Sequence, residues 1–167
     1  FARLFPHAAG GDDHQARAAA VALRQRLLLV TGGPGTGKTT TIARLLVLLA
    51  ARAAAAGQPP PRIALAAPTG RAAERMAESL RMAVAQLRDT AGVEAQLCEG
   101  LPTRASTLHR WLGPIRDQPQ FRHHPDNPLP FDVVVVDEAS MVDLPLMCKL
   151  VDAVADGAQL LLLGDPD

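Results

Sequence analysis

Leu27-Leu28-Leu29-Val30-Thr31-Gly32-Gly33-Pro34-Gly35-Thr36-Gly37-Lys38-Thr39-Thr40-Thr41 is the stretch on which the reading of this chain turns. An apolar run of strand character leads directly into Gly32 to Thr39, which satisfies G-x-x-x-x-G-K-[ST], and a helical pattern follows. A loop of this kind curls around a polyphosphate with its backbone N–H groups turned inward. Glycines at 32, 33, 35 and 37 permit the positive-φ geometry and the close approach this requires. The candidate nucleotide ligands are therefore Gly32, Gly33, Pro34, Gly35, Thr36, Gly37, Lys38, Thr39 and Thr40. Lys38 is expected to reach the β and γ phosphates and the Thr39 hydroxyl to ligate Mg²⁺, with the positive dipole end of the following helix behind them. A glycine-rich turn can match the pattern by chance, but the strand before it and the helix after it are the setting that gives the pattern meaning.

The second signal is Asp132 to Ser140, DVVVVDEAS. Consecutive valines make a strand buried on both faces, as in a parallel sheet, and two carboxylates stand at its C-terminal end. Beside a phosphate-binding loop, Asp137 is placed to hold Mg²⁺ and Glu138 to orient and deprotonate the attacking water. A solvated turn is the bland alternative for two adjacent acids.

The chain has 167 residues, enough for one well-buried domain, with 17 basic and 17 acidic residues and no net charge, so no global basic field draws in nucleic acid. Any such contact must be local. Cys98 and Cys148 stand far apart without a CxxC pairing and fit thiols of a reducing compartment. No apolar segment is long enough to span a bilayer, and a soluble cytoplasmic protein is expected.

From the N-terminus, Asp12 or Asp13 is a candidate cap for a helix His14 to Arg24 with Ala18, Val21 and Ala22 on its apolar face. Gln15, on its first turn, reads on spacing alone as an ordinary solvent-facing glutamine, with adenine recognition through its amide as the sharper reading. A helix from Thr40 to Ala56 follows the loop, and Ile63 to Ala67 reads as a buried strand that breaks at Pro68-Thr69-Gly70. From Arg71 to about Arg88, Ala73, Met76, Ala77, Leu80, Val84 and Leu87 form a helical stripe. Pro68, Thr69, Gly70 and Arg71, where strand gives way to helix, suit either a plain turn or a grip on a ligand's phosphate. Residues 89–130 form an irregular insertion, within which Ser106 to Leu112 reads as a short helix capped by Ser106. His109, His123, His124 and Cys98 match no zinc spacing, and Trp111 reads as a packing residue. Leu144 to Val154 (Leu144, Met147, Leu150, Val151, Val154) is a further amphipathic helix, and Gln159 to Leu163 a further buried strand ending at Gly164-Asp165. Strands alternating with helices, without hairpin signals, predict an α/β fold with a parallel sheet covered by helices on both faces. Ligand groups gather at the strand C-termini in such sheets, where all the polar motifs fall.

Together these residues resemble the first RecA-like motor domain of superfamily 1 helicases, a P-loop NTPase fold. TGGPGTGKTTT is similar to helicase motif I, APTGRAA (Ala67 to Ala73) to motif Ia, STLHRWLG (Ser106 to Gly113) to motif Ib, VVVVDEAS to motif II and LLLGDPD to the start of motif III. With RHHPDNPL (Arg122 to Leu129) and DEASMVDLPLM (Asp137 to Met147), the chain resembles more narrowly the RecD family, the alpha subunits of exodeoxyribonuclease V. The resemblance implies a DNA-stimulated ATPase that moves 5′ to 3′ on single-stranded DNA with RecB and RecC as partners and ATP and Mg²⁺ as cofactors, away from any membrane. It gives Lys38 and Glu138 catalytic roles and Thr39 and Asp137 the metal. It places Gln15 where the adenine-reading glutamine is expected, has Asp165 couple hydrolysis to DNA, and sets Pro68, Thr69, Gly70, Arg71, Thr107 and His109 in DNA-touching motifs. It also implies that residues 1–167 are one motor domain, with 1–26 its N-terminal helical segment. The second motor domain and its arginine finger then lie elsewhere, so the isolated chain is expected to hold half an ATP site, to bind nucleotide weakly at best, and neither to hydrolyse ATP at a useful rate nor to unwind DNA.

Other readings are disfavoured on particular residues. No LSGGQ-like signature precedes DEAS, as a transporter ATPase needs, and paired Asp137-Glu138 with the PTGR turn do not suit a small-molecule kinase. A stand-alone or conjugative helicase shares the same motor residues, and a silent nucleotide-binding scaffold would not need Glu138.

Overall fold

A computed structural model of the chain describes residues 1–6, 13–33, 37–102 and 104–165. Its strands are β1 (Leu27–Thr31), β2 (Ile63–Ala67), β3 (Ser106–Thr107), β4 (Val133–Val136) and β5 (Gln159–Gly164). Its helices are α1 (His14–Ala22), α2 (Lys38–Ala55), α3 (Gly70–Ala91), α4 (Ala95–Glu99), α5 (Leu108–Leu112) and α6 (Leu144–Ala153). The strands form one parallel sheet in the order β1-β5-β4-β2-β3. The last strand in sequence is thus inserted between the first and the fourth. That insertion puts Thr31 opposite Gly164 and Leu162 opposite Val136, and so aligns the ends of three strands that carry polar motifs.

The alternating side chains of this sheet supply two cores. Leu161, Leu163, Val133, Val135, Ile63 and Leu65 meet α1, α2 and α3 on one face, while Leu160, Val134, Val136, Ala64 and Ala66 meet α5, α6 and Leu129 on the other. Each fully buried leucine or valine contributes roughly 1.5–3 kcal/mol relative to exposure, an upper estimate because unfolded chains already hide some apolar surface. Trp111 bridges layers as a packing residue: its indole N–H donates to the Leu65 carbonyl at 2.8 Å and its ring meets Phe131 edge-on at 4.9 Å.

Local chemistry explains most boundaries. Asp13 caps α1 by accepting from the N–H groups of Gln15 and Ala16, each at 3.0 Å, while the alternative cap Asp12 and the Gly10-Gly11 turn lie outside the described residues. Thr69 caps α3, and Gly92, at φ +59°, ends it in the left-handed conformation that favours glycine. Asp143 caps α6, accepting from the Leu146 N–H at 2.8 Å.

Three expectations are corrected. In α1 the buried residues are Ala16, Ala19 and Ala22, with Val21 exposed, because small side chains allow the helix to lie close on α2. Ser106 is not a cap: it pairs with Ala66 in β3, and Thr107 caps α5 by accepting from the Arg110 N–H at 3.2 Å. In α6 it is Leu146, Leu150 and Ala153 that are buried, whereas Leu144 and Val151 face outward. The expected parallel sheet with helices on both faces is present; β1 lies at its edge, and Leu27 and Leu29 there are each 62% exposed. Among the described residues no helix is long and apolar enough to cross a membrane.

Candidate active site

The parallel register brings the ends of β1, β5, β4 and β2 to one side of the molecule. There the Gly32 N–H donates to the Gly164 carbonyl at 3.3 Å and the Asp137 N–H to the Ala66 carbonyl at 2.9 Å. Lys38, the first residue of α2, reaches back under the loop. Its ammonium donates to the Gly32 carbonyl, to the Gly33 carbonyl at 3.4 Å and to Asp165 Oδ1 at 2.5 Å. The Lys38 side chain is 17% exposed, so this ammonium is held largely out of water with its donors aimed at oxygen atoms. Asp165 thereby presents to Lys38 the kind of anionic oxygen that a phosphate would present.

A cleft of about 370 Å³ is lined by Lys38, Asp137, Glu138, Ser140, Gly164, Asp165 and, from α3, Arg75. Asp137 Oδ1 accepts from the Glu138 N–H at 2.9 Å, which fixes that carboxylate at the end of β4. Glu138 adopts φ +52° and ψ 40°, a left-handed conformation that costs a non-glycine residue on the order of 1–3 kcal/mol. The turn it makes into the 3₁₀ segment Ala139–Met141 sets its carboxylate against α3, where Arg75 Nη2 donates to Oε1 at 3.1 Å.

Lys38 is also the wall between this cleft and two others. One, of about 550 Å³, is lined by His14, Gln15, Ala18, Val30, Gly32 and Thr41. The other, also about 550 Å³, is lined by Gly37, Thr39, Thr40 and by Ser79 and Gln86 of α3. Lys38, Asp137, Glu138 and Asp165 thus share one cleft, whereas Thr39 opens onto its neighbour and Gln15 onto the cleft beyond. Pro34, Gly35 and Thr36 lie outside the described residues.

Gln15 is no freely solvated side chain. Arg44 of α2 donates to its Oε1 at 3.0 Å, and a Cβ at Gly37 would stand 2.4 Å from its Nε2. Gly37, at φ +80°, is therefore a position where backbone conformation calls for glycine, and a Cβ there would also oblige the Gln15 amide to shift. Arg44 in turn lies over the Phe5 ring at 5.1 Å.

The α3 N-terminus, with Thr69, Gly70 and Arg71 exposed, stands beside the β3 end, since Ala67 is opposite Thr107. The hydroxyls of Thr69 and Thr107 are both engaged as helix caps. His109 is exposed, its ring edge-on to Phe121 at 5.8 Å. His123 lies within 3.2 Å of the Asn127 and Pro128 carbonyls, and no group of metal-binding side chains forms among the described residues. Burial raises the half-buried Cys98 thiol above its ordinary value, against the opposing charge of Arg88.

The Asp137 carboxylate and the Ser140 hydroxyl, which line the cleft beside Met141, Lys38 and Arg75, offer oxygens of the kind a hard divalent cation takes while keeping most of its water. The Lys38 ammonium and the Gly37 conformation suit a polyphosphate.

A family model described as an AAA domain matches residues 15–167. The chain belongs to the AAA domain family. This AAA domain is 54% identical over 107 residues to the RecBCD enzyme subunit RecD of Mycolicibacterium smegmatis, a match covering 64% of the chain and 18% of that protein. With RecD of Haemophilus influenzae the figures are 45% over 103 residues, 62% and 16%. With the ATP-dependent RecD2 DNA helicase of Deinococcus radiodurans they are 42% over 100 residues, 59% and 14%. The matches span less than a fifth of each relative's length. The resemblance to RecD that the motifs carry is thus present in the alignments. Among solved structures, the AAA domain is similar to a Thermus phage large terminase ATPase domain (TM-score 0.50, 19% identity, 90% of this chain, 64% of that one). It is likewise similar to the HK97 bacteriophage large terminase (TM-score 0.52, 15% identity, 92% and 33%). At such identities the likeness concerns the fold alone, the P-loop NTPase α/β fold expected from the sequence.

Two residues of the site escaped the motif reading. Arg44 had a signal, a single charge inside the apolar run Ile42 to Ala51 of a buried helix. Arg75 had none, being one of several arginines on the polar side of α3.

Proposed function

We propose that this chain is the ATP-binding half of a 5′-to-3′ DNA helicase motor, hydrolysing ATP to move along single-stranded DNA, and that the parent protein works as a RecD subunit with RecB and RecC. The observation that supports it is the shared cleft in which Lys38, Asp137, Glu138 and Asp165 meet, one strand end away from the exposed turn Thr69 to Arg71. Lys38 exchanges Asp165 for the β and γ phosphates, its ammonium neutralising charge that builds up on the phosphoryl oxygens. Thr39 and Asp137 would hold Mg²⁺, which when bound would supply further neutralisation of phosphate charge. The Glu138 carboxylate aligns the attacking water and accepts its proton. Gln15, steadied by Arg44, reads the adenine edge. Thr69, Gly70, Arg71, Thr107 and His109 face the DNA backbone.

A stand-alone helicase is the second reading, favoured by the likeness to RecD2; the higher identity to the RecD subunits of Mycolicibacterium smegmatis and Haemophilus influenzae favours the complex. In the full-length protein, ATPase activity should require single-stranded DNA, vanish with Lys38→Ala, and fall by about 10²-fold or more in Glu138→Gln while ATP binding persists. Hydrolysis retained by Glu138→Gln would reject Glu138 as the base.

A further inference from the structure

We propose that the cleft between the segment Phe121 to Pro125 and α6 is a further contact for single-stranded nucleic acid, taking one nucleotide unit of the strand. The proposal deepens the reading of the chain as part of a DNA motor and rests on that reading.

The cleft has a volume of about 460 Å³, and its lining includes Ile115, Phe121, Arg122 and His124 from the stretch after α5 and Lys149 and Asp152 from α6. That is room for a base with its sugar and phosphate. Among the described residues it shares none with the clefts around Lys38. An aromatic ring set among cations is the means by which single strands are held: a base lies against the ring, and basic side chains meet the phosphates. Arg122 and Lys149 are both exposed, and neither forms an ion pair with another described residue. Asp152 is the one carboxylate of the lining among the described residues. It repels a run of phosphates but accepts from a base N–H, so the cleft suits a single nucleotide.

Local charge points the same way. The chain is neutral overall, yet residues 104–124 carry four arginines and three histidines against one acid, Asp117. An acidic peptide would match the charge alone, whereas the half-buried Phe121 ring, open to the cleft among cations, favours a base.

Hydrogen bonds hold this surface segment in one shape. The Arg122 and His123 N–H groups donate to the Gly113 and Leu112 carbonyls at 2.7 and 3.0 Å, and Asn127 Nδ2 donates to the Arg122 carbonyl at 2.9 Å. His124 and Asn127 exchange backbone bonds of 3.2 and 2.9 Å. Gly113, at φ +73°, lets the segment cross closely, since a Cβ there would stand 3.1 Å from Arg122 Cβ. Cations placed on a fixed backbone lose less freedom on binding. The cleft also continues the contact already proposed: His109 is edge-on to Phe121 at 5.8 Å, so a strand running past Thr107 and His109 meets this ring next.

The test is fluorescence anisotropy of labelled oligothymidylate with the full-length protein over a range of salt, as wild type, Arg122→Ala, Lys149→Ala and Phe121→Leu. Arg122→Ala and Lys149→Ala should each weaken binding about three- to tenfold and flatten the slope of log K against log salt by about 0.7, the share of one phosphate contact. Phe121→Leu, which keeps apolar bulk but no ring, should weaken binding about fivefold or more and leave the slope unchanged. Wild-type protein that fails to bind the oligomer would overturn the helicase reading itself. Wild type that binds, with affinity and slope unchanged in both charge variants, would overturn the cleft as a nucleic-acid contact and leave that reading standing. The same result with loss of RecB and RecC on co-purification would assign the cleft to a protein partner instead. Weaker binding with an unchanged slope in both charge variants marks a structural role and overturns the proposal as well.

Discussion

Replacing Gly37 with alanine tests the junction of loop and helix most directly. Two costs follow from the structure. At φ +80° an L-residue pays about 1–2 kcal/mol for the left-handed conformation. The new Cβ also falls 2.4 Å from Gln15 Nε2, where contact distances are about 3.5–4.0 Å, so the amide must move by roughly 1 Å or more. That displacement pulls Oε1 from Arg44 Nη1, now at 3.0 Å, and a hydrogen bond to a charged group is worth about 1.5–3 kcal/mol. Arg44 has little to fall back on, because its Nε is already buried without a partner. Reduced freedom of the unfolded chain returns about 0.4–1 kcal/mol. The expected net loss is about 2–4 kcal/mol in urea unfolding, or about 4–16 °C in Tm at 2–4 °C per kcal/mol. In a Gln15→Ala background only the backbone cost remains, so Gly37→Ala should there cost about 1 kcal/mol and the pair should couple by at least about 1 kcal/mol. Additivity within about 0.5 kcal/mol would refute the contact between Gln15 and the loop glycine.

Two further outcomes are expected. Leu65→Ala, at a fully buried position of β2, should destabilise the chain by about 2–5 kcal/mol in the same unfolding assay, whereas Met82→Ala, on an exposed part of α3, should change it little. Arg62 donates to both carboxylate oxygens of Asp132 and holds this carboxyl below the usual carboxylate range. Since the folded-state value is lowered, the pair contributes stability above the unfolded value and loses it as pH falls through the folded one. The wild type should therefore exceed Asp132→Asn in stability near neutrality, with the gap closing in acid, and a gap that widened in acid would reverse the assignment.

The elements that sequence made legible are those with a strong local rule. The four-valine strand and the long stripe of α3 came out near their observed limits because periodicity acts within a few residues. α6 was harder: leucine or valine at 144, 146, 150 and 151 surrounds a helix of only 10 residues, and docking against β4 and β5 chooses the face. β3 pairs only two residues, too few for any alternation to register. The edge position of β1 was hidden for another reason. Leu27 to Val30 reads the same whether one neighbour or two flank it, and strand order is decided by long crossovers. In the site, residues that carry motifs were legible, while Arg75 left no local pattern and Arg44 stood out only as a lone charge in an apolar run, because hydrogen bonds across 29 and 63 positions do not show in sequence which residue is met.

Trp111 is the only tryptophan, and the chain has no tyrosine. Its indole is tied to the Leu65 carbonyl, at the seam of α5 and the central strands. Intrinsic fluorescence of the chain therefore comes from a single address. A shift in its emission reports the parting of α5 from the sheet, and unfolding followed by light can be compared with unfolding followed by circular dichroism to learn whether that seam opens with the rest or ahead of it.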